Sequence, residues 1–368
     1  MKNFILLVVI VCGSYLAKAH IEPTYFLHGN IGSRKVGVQI DHFSEAAYMK
    51  YFYQNEKTNL YLKGKSDSTK FHFESALKDS IGLPVQKVVI EHLPDETWEG
   101  VLITDKDSLI IKLEVIDVDK IDHLYVNDEL KKLLSPYSYL RTSDLELVRV
   151  NKRERFGRFS VSWFKEPFTG VKHFQINSNR KTKDVNKPNV ILRNDHLKHV
   201  ESFFECGTYG YSGSYSEKIN ISFLNQSYLS YSSEVKSSCY SEREKVTNEY
   251  TNLELQTGKR LWLEDLIYVG DLPIPTYNTS FWFKYRRNEF ASFVIDQLKT
   301  AYPEKFTKEM ECNYENTKAW EKPSWYLTKK GLYLGASFPG IDRSCNDPEW
   351  SIIPYNRLSE YFIGVPID

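Results

Sequence analysis

From Arg34 to about Ile116 the hydrophobic positions recur with a period of two. "KVGVQID" alternates Val36, Val38 and Ile40, "NLYLKG" alternates Leu60 and Leu62, and "KFHFES" alternates Phe71 and Phe73. "QKVVIEHL", "TWEGVLI" and "SLIIKLEVI" continue the series, with turn-forming clusters such as "KGKSDS" and "TDKDS" between them. Successive strand side chains point to opposite faces, so the pattern predicts short antiparallel strands in a meander. A barrel and a sandwich both satisfy it, and closing the sheet would remove exposed edges. Residues 20–117 are therefore expected to form an all-β antiparallel barrel or sandwich domain.

The pattern changes after Asp117. "NDELKKLLSPYSYL" predicts a helix that starts at Asn127 and stops at Pro136, within a helical connector over 118–157. "RFSVSWF" reads as a strand, and the polar stretch 177–189, "NSNRKTKDVNKPN", as a loop or linker. "LRNDHLKHVESFFE" either starts a helix at Asn194 or passes directly into a strand. "KINISFLNQSYLSYSSEV" is a hairpin turning near Asn225 and Gln226, and "LELQTGKRLWLEDLI" is a strand, a turn at Thr257-Gly258-Lys259 and a brief helix. Phe290, Phe293, Val294, Ile295 and Leu298 recur at helical spacing, which predicts a helix packed on a sheet. "WYLTKKGLYLGASF" is a second hairpin, and "IIPYNRLSEYF" a strand leading into a last helical turn. Strands and helices without strict alternation predict an α+β domain over 158–368, an antiparallel sheet with packed helices.

Composition places this chain outside the cell. Lys2 precedes the apolar run "FILLVVIVC", and Ala17-Lys18-Ala19 supplies a small-x-small cleavage site, so residues 1–19 read as a secretory signal peptide. The apolar run is far shorter than the roughly 20 residues a membrane helix needs, and no transmembrane anchor is expected. The product would be exported, periplasmic or secreted. Val11 is bulky where a lipid-attachment motif has a small residue before its cysteine, which argues against lipidation at Cys12. Without Lys2 and Lys18 the chain carries 46 basic against 48 acidic side chains, a balance that gives no electrostatic case for nucleic acid. In an oxidising compartment the four remaining cysteines, Cys206, Cys239, Cys312 and Cys345, are expected as disulfides. They lack the paired CxxC spacing of a zinc site. Three connectivities exist, and the shorter loops favour Cys206–Cys239 and Cys312–Cys345.

The motifs of catalysis are missing from the sequence. "GYSGS" at Gly210 to Ser214 lacks the second glycine of a nucleophile elbow, and neither H-E-x-x-H nor a phosphate-cradling glycine loop occurs. No catalytic residue, cofactor or metal is assigned. His196 and His199 would share one face of a helix and could present two imidazoles to a metal, but no third ligand is nearby in sequence. The acidic stretch 342–350, "DRSCNDPEW", lacks calcium-loop spacing and reads as a tied surface loop. "ECGTYGYSGSYSEK" interleaves Tyr209, Tyr211 and Tyr215 with glycine and serine. Binding loops use that mixture, because tyrosine offers contact area at little entropic cost. Those three tyrosines are the candidate binding residues.

Three C-terminal segments carry a resemblance. Leu253 to Ile267, Tyr326 to Leu334 and Ile353 to Leu358 match a strand with "TGK" followed by "LEDLF", a "YLT..GL" strand pair and a terminal "IPYSEL". Over roughly residues 200–368 the chain resembles the C-terminal domain of the RsiV anti-sigma factor, a domain that also accompanies the peptidoglycan deacetylase PdaC and other exported bacterial proteins. The resemblance implies an α+β domain without catalytic residues of its own, in a family whose best understood member binds lysozyme directly. No sigma-factor-binding segment is read, so an anti-sigma role is not expected. The resulting expectation is an exported noncatalytic binding protein of the bacterial envelope, its partner a protein (lysozyme-like enzymes among the candidates) or a cell-wall glycan. The alternatives are an envelope polymer hydrolase and a purely structural envelope component.

Overall fold

The computed structural model describes residues 23–367 apart from 45, 76–85, 124–125, 127–130, 133, 178–184, 207–212, 240–242, 272, 308–310, 339–343 and 366. Contacts divide the chain into two compact units, one of Met1–Tyr51 and Tyr61–Ile116, the other of Phe52–Leu60 and Asp117–Asp368.

In the first unit the barrel alternative holds. Strands β1 (Thr24–Ile31), β2 (Arg34–Phe43), β3 (Ala46–Tyr53), β4 (Leu60–Asp67), β5 (Lys70–Ser75), β6 (Lys87–His92), β7 (Trp98–Ile103) and β8 (Ser108–Val115) close in sequence order, β8 returning antiparallel to β1. The period-two positions point inward: Val36, Val38 and Ile40 of β2, Phe71 and Phe73 of β5 and Trp98 of β7 are all buried. Eight strands leave an interior just wide enough for side chains to fill, and these large residues fill it.

The second unit stacks three small antiparallel sheets against helices. The first sheet is β9 (Val148–Phe156), β10 (Phe159–Lys165) and β11 (Lys172–Asn177); the second is β12 (Ser214–Leu224), β13 (Tyr228–Ser238) and β14 (Lys245–Glu254). Both share one core, in which Trp163 and Phe174 meet Leu229, Tyr231 and Leu253. The third is β15 (Ser324–Leu327), β16 (Leu332–Gly335) and β17 (Ile352–Ile353). Its backbone is tied to the second sheet through side chains: the Leu327 amide donates to Ser230 Oγ, and Asn252 Nδ2 donates to the Trp325 carbonyl.

Pro136 itself opens α1 (Pro136–Thr142); Ser135 caps it through the Ser138 amide, and a proline costs nothing at a position whose N–H has no helical partner. Three local expectations are corrected. The connector is not helical to 157, because Val148–Phe156 is strand β9 of the first sheet. The polar stretch ending at Asn189 is not all loop, since α2 (Asn186–Cys206) begins inside it. Asn194 lies within that helix rather than at its start. The helix expected at Asn127 falls outside the described residues for most of its length.

The three C-terminal segments Leu253 to Ile267, Tyr326 to Leu334 and Ile353 to Leu358 converge on a single core. Leu263, Leu266 and Ile267, then Leu327, Leu332 and Leu334, then Ile353 and Leu358 are fully buried together, packed on α4 (Ala291–Ala301). Each such side chain contributes about 1.5–3 kcal/mol on burial, so the shared pattern is above all a packing signature. Its turn needs glycine: Gly258 sits at φ +73°, where an added Cβ would also meet the Lys187 Cβ at 3.0 Å. Its acidic residue has a structural partner. Glu264 is buried and accepts from Arg286 Nη2 at 3.0 Å and from Trp282 Nε1 at 2.8 Å. Arg286 lies in the π-helical turn Arg286–Phe290 between α3 (Ser280–Tyr285) and α4, with its guanidinium 4.3 Å from the Phe290 ring centroid.

Removing one partner of a buried pair strands the other charge. Glu264→Ala is expected to lower stability by about 3–5 kcal/mol, measured by urea unfolding, and replacing Glu264 and Arg286 together by apolar residues to recover most of that loss.

Candidate functional site

The structure unites two features that are separate in the sequence. His196 and His199 do share one face of α2, and that face packs against β11, β12 and β13. His199 Nδ1 lies 2.8 Å from the Tyr215 hydroxyl and Nε2 lies 3.1 Å from Glu217 Oε1, while Ser233 donates to the same oxygen at 2.7 Å. His196 Nε2 is 3.4 Å from the Val171 carbonyl, and its ring lies against His173. One helical turn earlier, Asp195 pairs with Arg260 and accepts from Tyr231. Tyr209 and Tyr211 lie outside the described residues.

Carboxylate, imidazole and hydroxyl stand in series here, in the order a nucleophilic triad uses. The electrostatics oppose that chemistry. Burial pushes the Glu217 carboxyl up to about 7, helped by Asp195 and Glu249 and opposed by Ser233. Burial also lowers His196 to about 4, lowers His199 and raises Tyr215, so each group is biased toward its neutral form. A triad hydroxyl must lose its proton to act, whereas Tyr215 is held to its own. The adjoining cavity, lined by His173, His196, His199, Glu217 and Ser233, measures about 10 Å³, at the lower limit for a single water. A cavity of that volume has room for a water and little more. Nor are three His, Cys, Asp or Glu side chains grouped for a metal ion among the described residues. The cluster joins a helix to a sheet through buried polar groups, and leaves His173 Nε2 and Glu217 Oε2 without a hydrogen-bond partner among the described residues.

The cysteines lie at the edges of these elements. Cys206, the last residue of α2, is bonded to Cys239 just beyond β13, and Cys312 to Cys345, with Cα separations of 4.7 and 5.6 Å. In the described part of 342–350 the polar groups tie the loop down: Asp347 Oδ1 accepts from Ser324 Oγ, and Asn346 Oδ1 from the Phe338 amide. Trp350 packs edge-on against Tyr302 and Tyr314.

Sequence reasoning passed over the surface that the "LWLEDLI" join presents. Trp262 is 51% exposed and Tyr277 47% exposed, and their rings stack at 3.9 Å with planes 17° apart. The chain from core to surface is continuous. Glu264 fixes the indole of buried Trp282, Trp282 meets Tyr277 edge-on at 5.0 Å, and Tyr277 stacks on Trp262. Asp265 holds the Trp262 backbone by accepting its amide at 2.8 Å. Phe281, on the same segment, is also exposed. The signal was a tryptophan set directly before a run whose other apolar members, Leu263, Leu266 and Ile267, are all buried.

Compared with protein families and with curated proteins, the chain matches none. No helix among the described residues is long and apolar enough to cross a membrane.

Glu217 supplies a pH test. Its folded pKa is raised from 4.5 to about 7, so the stability it contributes is complete below the unfolded value and is lost as pH rises through the folded one. Glutamine cannot ionise. Glu217→Gln should therefore gain on the wild type between pH 5 and pH 8, by on the order of 2–3 kcal/mol. The buried histidines slope the other way in both proteins, so calorimetry at the two pH values should compare the difference between variants; a constant difference would refute the assignment.

Proposed function

We propose that this chain is an exported noncatalytic binding protein of the bacterial cell envelope, whose partner is a protein or a cell-wall glycan. One observation carries the reading: the stacked Trp262–Tyr277 pair stays half exposed although it rests on buried Trp282, whose indole N–H the buried Glu264 accepts. Exposed apolar surface is unfavourable in an unpartnered protein, and rimmed aromatic patches mark binding sites. Rigid aromatic rings give contact area with little rotamer entropy to lose on binding. Further support comes from the leader-like N-terminus, from the two cysteine pairs and from the resemblance to the RsiV domain, whose "LED" segment carries Trp262 at its head.

The mature chain should bind isolated envelope material, measured by sedimentation with purified sacculi and by surface plasmon resonance with envelope proteins and lysozyme. Trp262→Ala and Tyr277→Ala should each weaken that binding tenfold or more while moving Tm by no more than a few degrees. Undiminished binding by both variants would count against this surface. Absence of binding in both assays would count against the reading itself.

A further inference from the structure

The first sheet of the second unit carries a second surface of different character. In a chain with 48 basic and 48 acidic residues, the eleven positions from Val148 to Arg158 hold five basic side chains and one acidic one, Glu154. The ladder sorts them. Arg149 lies opposite Phe164, Arg153 opposite Ser162 and Arg155 opposite Ser160, and the register slips between Ser162 and Trp163. Asn151 and Lys152 are the extra residues of that bulge. It brings Arg149 within one pleat of Arg153, in line with it on one face of the sheet. The opposite face carries Val150, Val161, Trp163 and Ile176 toward the core, and Glu154 falls on that side of the register.

Three guanidinium groups thus stem from one edge strand at successive two-residue steps, about 7 Å apart. All three arginines are exposed. Arg149 donates to Ser162 Oγ, and none of the three forms an ion pair among the described residues. Asn177 exchanges hydrogen bonds with Ser160 and Ser162, so the hydroxyls beneath the row are occupied, and Arg153 and Arg155 are its free donors among the described residues.

Resting on the reading of an exported envelope-binding protein, we propose that this arginine row is a docking surface for an anionic polysaccharide bearing carboxylates along its chain. Guanidinium forks pair two parallel N–H groups with one carboxylate, and a line of them matches a line of such charges. Complementarity points to a narrow polyanion rather than a broad one. The molecule as a whole is charge-balanced, so it lacks the wide positive field that non-specific nucleic-acid binding requires. The disulfide-bonded unit also belongs in an oxidising compartment, where exported glycans are the abundant linear polyanions.

The test uses the full mature chain with polygalacturonate as the acidic probe and dextran as the neutral one. Binding to polygalacturonate and not to dextran, weakening steeply with added salt, is expected. Arg153→Gln with Arg155→Gln should weaken it at least tenfold and Arg149→Gln severalfold. Arg153→Lys with Arg155→Lys, which keeps charge but loses the fork, should fall between, and Lys218→Gln on β12 should leave binding unchanged. Circular dichroism confirms that each variant folds. Equal binding by the glutamine double variant overturns the assignment, as does tighter arginine-dependent binding to single-stranded DNA or to phosphatidylglycerol vesicles. If polygalacturonate fails while sacculi or envelope proteins still bind through Trp262, only this inference falls; if all fail, the reading of an envelope-binding protein falls with it.

Discussion

A carboxylate with little solvent beside it needs a cation, and in this protein Glu264 has Arg286. The pair fixes more than itself. Glu264 follows the Gly258 turn by six residues, and Arg286 sits where α3 passes through a π-helical turn into α4. Each partner alone would leave a buried charge, so the turn, the short 3-10 helix Leu263–Asp265 and the long helix must meet in one register. The same carboxylate accepts the indole N–H of Trp282, which orients that ring for Tyr277 and, through it, Trp262. A charge that is unfavourable to bury thereby sets the conformation of an exposed aromatic surface.

Helix α2 solves a related problem with more groups. Its residues are too polar to bury by the hydrophobic effect alone, yet Leu192, His196, His199 and Val200 are all covered. Its polar side chains pair in turn: Asn189 with the Ile176 backbone, Asp195 with Arg260, Lys198 with Glu249, His199 with Tyr215 and Glu217, and Glu201 and Glu205 with fully buried Arg141. The shifted titration of Glu217 and His196 follows from this arrangement. Perturbed groups gather at active sites, but structural networks perturb them too. The small volume of the adjoining cavity, about 10 Å³, favours the structural reading here.

How much could be read from the sequence follows the physics of each element. The barrel strands were legible wherever one face is buried and the other wet, as in "KVGVQID" and "KFHFES". Strands β1 and β3 were not, because "TYFLHGNI" and "AAYMKYFY" lack clean alternation: Tyr25 and Phe26 of β1 are both half-buried, and Tyr51, Phe52 and Tyr53 of β3 are all buried. Helix α2 was half seen because "NSNRKTKDVNKPN" carries the turn-formers of a loop, although its end supplies the first helical turn. His196 and His199 were correctly set on one face, but their partner Glu217 lies across a tertiary contact. A faint signal existed: Glu217 falls between Tyr215 and Ile219, on the inward side of the β12 alternation. The arginine row was hidden because β9 was taken into a connector, and its spacing because a bulge of two residues shortens the four positions from Arg149 to Arg153 to one two-residue step of the ladder.

The two exposed surfaces of the second unit obey different rules, and the difference bears on what a partner must be. An aromatic pair gains from area and dehydration, which salt leaves largely intact, and it is already ordered before contact. An arginine row gains from charge, which weakens as salt shortens the Debye length, and its side chains must be ordered on contact. A small ligand answers only one of these chemistries. A long polymer, or a protein that carries one, can answer both, and each engagement raises the effective concentration for the other. Modest affinity at each surface would then suffice to hold one such partner firmly. The two disulfides and the Glu264–Arg286 pair, for their part, stabilise the unit's own interior and engage neither the Trp262–Tyr277 pair nor the three arginines.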